Sequence, residues 1–149
     1  MTLFETLKLI HVLAAMMWVG GGILQTIYAV RARRADDAHR LGFARDMVFL
    51  GSRVFGTASG VALIFGVWMV FERPGFTFGD TWIIIGLAGF ALSSAIGVAF
   101  FTPKGKALLA RLEAGEQAES LLATVTRVAF VDQFILLVVV WAMVVKPGA

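Results

Sequence analysis

The chain has 149 residues, of which 59% are hydrophobic, against about 45–50% apolar in a soluble domain, and its mean hydropathy of +0.86 comes from four long apolar runs. It contains no cysteine, which excludes disulfides, thiolate zinc sites and iron–sulfur clusters and leaves His, Met, Asp, Glu and Lys to hold any metal or haem. The net charge of +3 does not point to nucleic acid, because the basic residues flank apolar spans, where orientation in a membrane accounts for them.

The first run extends from about Leu7 to Val30 and contains "HVLAAMMWVGGGILQ". Its positive charge, "VRARR", follows the apolar stretch, whereas a cleaved signal peptide carries its charge before it. The run is therefore expected to be a retained helix. The second run covers about Met47 to Phe71, the third Thr81 to Phe101 and the fourth Leu122 to Val145. Each is about long enough, at ~20 helical residues, to cross a ~30 Å hydrocarbon core. In lipid the backbone must satisfy its own hydrogen bonds, and these runs lack the alternation of a barrel strand, so they predict helices. The expected fold is a single all-α domain: an integral membrane four-helix bundle.

Between the first two spans lie Arg31, Arg33, Arg34, Arg40 and Arg45; between the last two lie Lys104, Lys106 and Arg111. The opposite side has only Lys8, Arg73 and Lys146. The positive-inside rule puts both basic loops in the cytoplasm and both termini on the periplasmic or outer side, in the cytoplasmic (inner) membrane of a bacterium. Trp68, Phe71, Phe76, Phe78 and Trp82 form an aromatic belt at the outer interface. In the inner loop, "TPKGKALLARLEAGEQAES" predicts a short amphipathic helix at the inner surface, broken near Gly115, which serves as a docking surface or a solvated connector.

Gly89, Ser93 and Gly97 recur every four residues on the third span, and Gly56, Thr57 and Gly60 lie on the second. Such small residues let helices approach closely, within the bundle or in a homo-oligomer or larger membrane complex. Polar groups inside the spans are costly and therefore face inward. His11, Trp18 and Gln25, seven residues apart, share one helix face with Ala15 and Gly22. At ~1.5 Å per residue His11 lies roughly 9 Å inside the outer end. Gln25, Arg53, Arg127 and Asp132 form an inner polar cluster on this reading. It is either structural, with Asp132 ionised beside an arginine, or a proton or substrate relay. At the outer level His11 has Met69, Met143 and Lys146 as candidate neighbours, with Met16 and Met17 deeper. A His with Met ligands suits haem iron or Cu(I); alternatively His11 hydrogen-bonds a backbone carbonyl or polar group across the bundle.

The opening "LKLIHVLAAMMWVGGGI" and the closing "VVWAMVVKPGA" resemble a bacterial family of small four-helix integral membrane proteins of unknown function, with a first-helix His, a Trp followed by Gly-Gly and a terminal Lys-Pro. More distantly the same features are similar to the membrane-type protoporphyrinogen oxidase and to the membrane part of copper-resistance D proteins. The oxidase likeness implies b-type haem, with His11 and Lys146 matching that family's functional His and Lys. The third span, "TWIIIGLAGFALSSAIGVAFF", lacks the Lys and His of that pattern, and the fourth lacks its Asn-Glu pair. Three functions follow: a haem-binding or redox-associated membrane component acting through His11, a small transporter or copper-handling protein, or a non-catalytic accessory subunit. No nucleophile triad, phosphate loop or paired-carboxylate site is present.

Overall fold

A computed structural model describes residues 1–148. Helix α1 (Leu3–Ala32) opens with a capping box: Glu5 N donates to the Thr2 hydroxyl at 3.2 Å, and Thr2 N donates to the Glu5 carboxylate at 2.8 Å. A short turn leads to α2 (Asp37–Phe49), which passes through a π-helical segment (Leu50–Phe55) into α3 (Gly56–Glu72). The turn at 73–80 leads to α4 (Thr81–Ile96), a second π-helical segment (Gly97–Phe101) and α5 (Thr102–Glu113). Gly115, at φ 70°, turns the chain into α6 (Glu119–Val145). Among the described residues there is no strand.

Four helices are therefore long and apolar enough to cross a membrane: Leu3–Ala32, Asp37–Glu72, Thr81–Glu113 and Glu119–Val145. The second and third are longer than the apolar runs that predict them. At 36 residues, the second reaches about 54 Å at ~1.5 Å per residue, well beyond a ~30 Å hydrocarbon core. The amphipathic segment after the third run is α5, and it does end near Gly115. It does not lie along a surface, however; it prolongs the third span and packs on α2. Leu108 at its centre is 0% exposed, in a cluster with Ala29, Ala32, Phe43, Ala44, Met47, Leu122 and Val125. The apolar side of this helix is thus used up within the chain.

Both termini and the 73–80 turn meet at one end of the bundle, here the terminal end; the arginine-rich turns lie at the other, the basic end. At the terminal end the rings of Phe4 and Phe76 are 6.4 Å apart, and the Arg73 guanidinium sits over both, at 4.9 and 5.2 Å. Val70, Trp82, Ile83 and Ala142 form a second buried cluster there.

In the bundle α1 packs against α3 and α6, α4 against α6, and α2 against α5. The small-residue stripe of α4 makes one of these contacts. A methyl group at Gly86 would fall on Met143, and one at Gly89 on Val139, so α6 sits where side chains are missing. At Gly86 and Gly89 the small-residue side of α4 is thus occupied by a helix of the same chain, whereas a Cβ at Gly97 would meet nothing within 4 Å. Large side chains on the outer faces, such as Leu13, Met16, Ile64, Leu92 and Phe134, are exposed and face the lipid.

The basic end is held by polar contacts as well. Arg40 Nη1 donates to Glu119 at 2.6 Å, and Arg45 Nη2 to Glu113 at 3.4 Å. Asp36 caps α2 by accepting from His39 N at 2.9 Å, and its carboxylate meets the His39 ring at 2.7 Å. The His39 backbone N–H first, and then its side chain, hold the Asp36 carboxyl below the usual carboxylate range. A depressed carboxyl contributes stability above its unfolded pKa, and that contribution is lost as pH falls through the folded value. Melting temperature should therefore fall on acidification below about pH 4, and Asp36→Ala should lower it at neutral pH while flattening this part of the pH profile. A profile unchanged in Asp36→Ala would show that the cap does not stabilise the basic end.

Candidate functional site

The inward face of α1 carries the polar groups in successive layers. Nearest the terminal end is His11, half-buried, whose Nδ1 donates to the Ala62 carbonyl of α3 at 2.7 Å. A carbonyl only accepts, so this bond puts the ring proton on Nδ1 and leaves the lone pair on Nε2. Nε2 makes no hydrogen bond among the described residues. The ring fits because residue 66 is glycine: a Cβ there would stand 2.9 Å from His11 Cε1 and 3.0 Å from Nδ1. The carbonyl bond foreseen as one alternative for His11 is thus present, and it also orients the free nitrogen.

Two helical turns deeper, the Trp18 ring meets Phe90 of α4 edge-on, with centroids 5.6 Å apart and planes at 70°. Below it α6 crosses α1. Gln133, buried, lies against Gly22, and its Nε2 donates to the Val19 carbonyl at 3.5 Å. Gln25 is half-buried a turn further toward the basic end. His11, Trp18 and Gly22 therefore all meet other helices, as expected of an inward face.

Asp132 lies midway along α6, half-buried, beside the buried Ser93 of α4. Its Oδ1 is closed off from solvent and has no hydrogen-bond partner among the described residues. The expected pairing with an arginine is not found among them. Arg53 and Arg127 are both exposed, and the ion pairs all lie at the basic end. Five residues separate Arg127 from Asp132, about 140° of helix rotation, so the two side chains leave α6 on different sides. Arg53 projects from the π-helical segment. The inner cluster is thus dispersed: Asp132 faces α4, and the arginines face outward.

The outer candidates are also spread over different contacts. Met143 packs on Gly86 beside Trp82 and Ile83, between α6 and α4. Lys146 terminates α6 in a left-handed conformation (φ 50°) and holds its ammonium 5.0 Å over Phe76 and 5.1 Å over Trp82. Met69 is half-buried on the α3 face that carries Ala62, one heptad nearer the terminal end. No packing cluster or hydrogen bond among the described residues joins any of these three to His11.

Three participants were missed by sequence reading: Ala62, Gly66 and Ser93. Ala58, Ala62 and Gly66 recur every four residues, and this small-residue spacing could have marked the α3 side of the site. Ser93 was seen only as part of a packing stripe. Among the described residues no three of His, Cys, Asp and Glu converge, so the inward face of α1 offers one imidazole nitrogen and an aromatic pair, and the α6–α4 contact a separate carboxyl.

No curated protein and no solved structure matches the chain. The family model described as "Predicted integral membrane protein (DUF2269)" matches residues 5–147. With its four apolar helices spanning nearly the whole of that match, the chain belongs to this family of integral membrane proteins of unknown function.

Proposed function

We propose that this protein is a redox-associated component of the bacterial cytoplasmic membrane that binds b-type haem through His11, with its basic end in the cytoplasm. The observation that carries the reading is the Nδ1 bond to Ala62. An imidazole that ligates a metal usually gives its other N–H to a carbonyl or carboxylate, which fixes the tautomer and the ring plane. His11 has that arrangement inside the apolar span, over a glycine that leaves the ring room. A lone imidazole suits haem better than a bare metal ion, because the macrocycle supplies four nitrogens and needs an axial ligand from the protein. Trp18, two turns from His11 on the same face of α1, and Phe90 of α4 supply the aromatic part of the surroundings. Bound haem would supply one-electron chemistry; His11 would orient and hold it, and the apolar helices would exclude water from it. Met143 and Lys146 are engaged elsewhere, so His11 is the one residue that would hold the haem iron. The test is the absorption spectrum of protein purified after expression with haem available, oxidised and then reduced. A Soret band that shifts on reduction supports it, and a colourless preparation overturns it.

One observation favours transport as a second reading. A carboxyl in mid-bilayer with an unpartnered oxygen is expensive, and such groups mark ion or proton paths. If Asp132 serves one, Asp132→Asn should lower proton or cation flux in proteoliposomes at least tenfold while leaving the fold intact. Unchanged flux would remove it.

A further inference from the structure

We propose that the basic end of α1 is a binding site for the headgroup of an anionic phospholipid, seated with its acyl chains along the lipid-facing side of the helix. Two rows of residues spaced by seven run down that side. One is Met17, Leu24 and Arg31; the other is Leu13, Gly20 and Ile27, and the turn just past the end of α1 brings Arg34 to the same place. Leu13, Met17, Leu24 and Ile27 are exposed, and a Cβ at Gly20 would meet nothing within 4 Å, so the second row has a shallow notch at chain depth. Arg31 ends the first row where the apolar run ends, and Arg34 stands beside it in the turn that follows.

At their foot lies an open cavity of about 580 Å³ lined by Leu24, Ile27, Tyr28, Arg31, Arg34 and His39, and by one carboxylate, Asp36. Its charges are not spoken for. Arg40 and Arg45 have Glu119 and Glu113 as partners, whereas Arg31 and Arg34 have no acidic partner among the described residues. The one carboxylate in the lining, Asp36, is engaged by the backbone N–H and ring of His39. The Tyr28 ring is held edge-on against Phe43, centroids 5.3 Å apart, and its hydroxyl has no hydrogen-bond partner among the described residues. Two unpaired guanidinium groups and a free phenol above an apolar groove match a phosphodiester with acyl tails. A zwitterionic headgroup brings its own cation close to the two arginines, so phosphatidylglycerol or another anionic lipid is selected over phosphatidylcholine. Orientation of the protein needs only positive charge on this side. The convergence of two arginines and a tyrosine on one groove is the additional feature.

The test uses the full-length protein reconstituted in phosphatidylcholine with a minority of phosphatidylglycerol, then extracted in detergent. Retained lipids are counted by mass spectrometry on the fraction that elutes as the folded protein. Wild type should retain phosphatidylglycerol several-fold above its share of the bilayer. Arg31→Gln with Arg34→Gln should abolish this enrichment. Arg31→Lys with Arg34→Lys, which keeps the orienting charge but loses the forked donors, should reduce it only in part. Arg111→Gln, at the same end but outside the groove, should leave it unchanged. Enrichment that persists in the Gln pair, or falls equally in Arg111→Gln, overturns the proposal. So does displacement of the lipid by excess glycerol 1-phosphate, which would make the site one for free anions.

Discussion

His11→Gln should yield a folded, colourless protein. Glutamine retains a donor that reaches toward the Ala62 carbonyl, so the tie between α1 and α3 has a substitute, but it has no imidazole nitrogen to offer iron. His11→Ala removes both. If the bond to Ala62 were the only purpose of His11, the Gln variant would keep wild-type properties and the Ala variant would lose about 1 kcal/mol, the usual net worth of one hydrogen bond. If His11 is an axial ligand, both variants lose the Soret band. Gly66→Val attacks the same geometry from the other helix. Its Cβ would stand 2.9 Å from His11 Cε1, so the ring must turn away and Nδ1 must leave the carbonyl. Its Soret band should weaken or shift although the ligand is still present. The three variants thus separate ligation from packing. A band that survives His11→Gln ends the haem assignment to this residue.

Phe43→Ala should be the most destabilising single truncation in the basic end, at about 3–5 kcal/mol. The side chain is 1% exposed, at the centre of the cluster joining α1, α2, α5 and α6, and its edge contact with Tyr28 adds to the loss. This cluster lies where helices too long for the hydrocarbon core extend beyond it. The hydrophobic effect operates there as in a soluble domain. The same chemical change at Phe134, which is 68% exposed on α6, should cost little, because lipid or detergent tails replace the lost contacts. Unfolding of the two variants in one detergent measures the difference. Equal losses would mean that position 43 sits in lipid, and would contradict the extension of α2 beyond the membrane.

The number and kind of crossings were legible from residues because the bilayer imposes one rule: a long apolar segment must satisfy its backbone internally. The inward face of α1 was legible for a related reason. His11, Trp18 and Gly22 recur at helical spacing, and all three meet another helix. The basic turns were less legible. Residues 37–46 are too polar for the hydropathy signal that marks a span, and their helical state depends on α2 burying Phe43 in the cluster that holds Leu108 of α5. Residues 102–113 were expected as a helix, and what the sequence did not show is that this helix prolongs the third span and packs on α2. Helices in water gain most of their stability from such packing, which no local pattern displays.

The pairing of polar groups was decided at the tertiary level. Asp132 and two arginines near one membrane face look like an ion-pair network in the sequence. In the bundle the rotation of α6 turns Asp132 toward Ser93 and Arg127 outward. Likewise His11 was visible, but its partner is a backbone carbonyl, and the space for its ring is the missing side chain of Gly66. Composition and run length alone determined that this is a four-helix membrane protein, because lipid acts as a uniform solvent on every segment. Which helices touch, and which nitrogen of His11 is left free, were decided by the tertiary structure, because both depend on small residues of two helices meeting at the same depth.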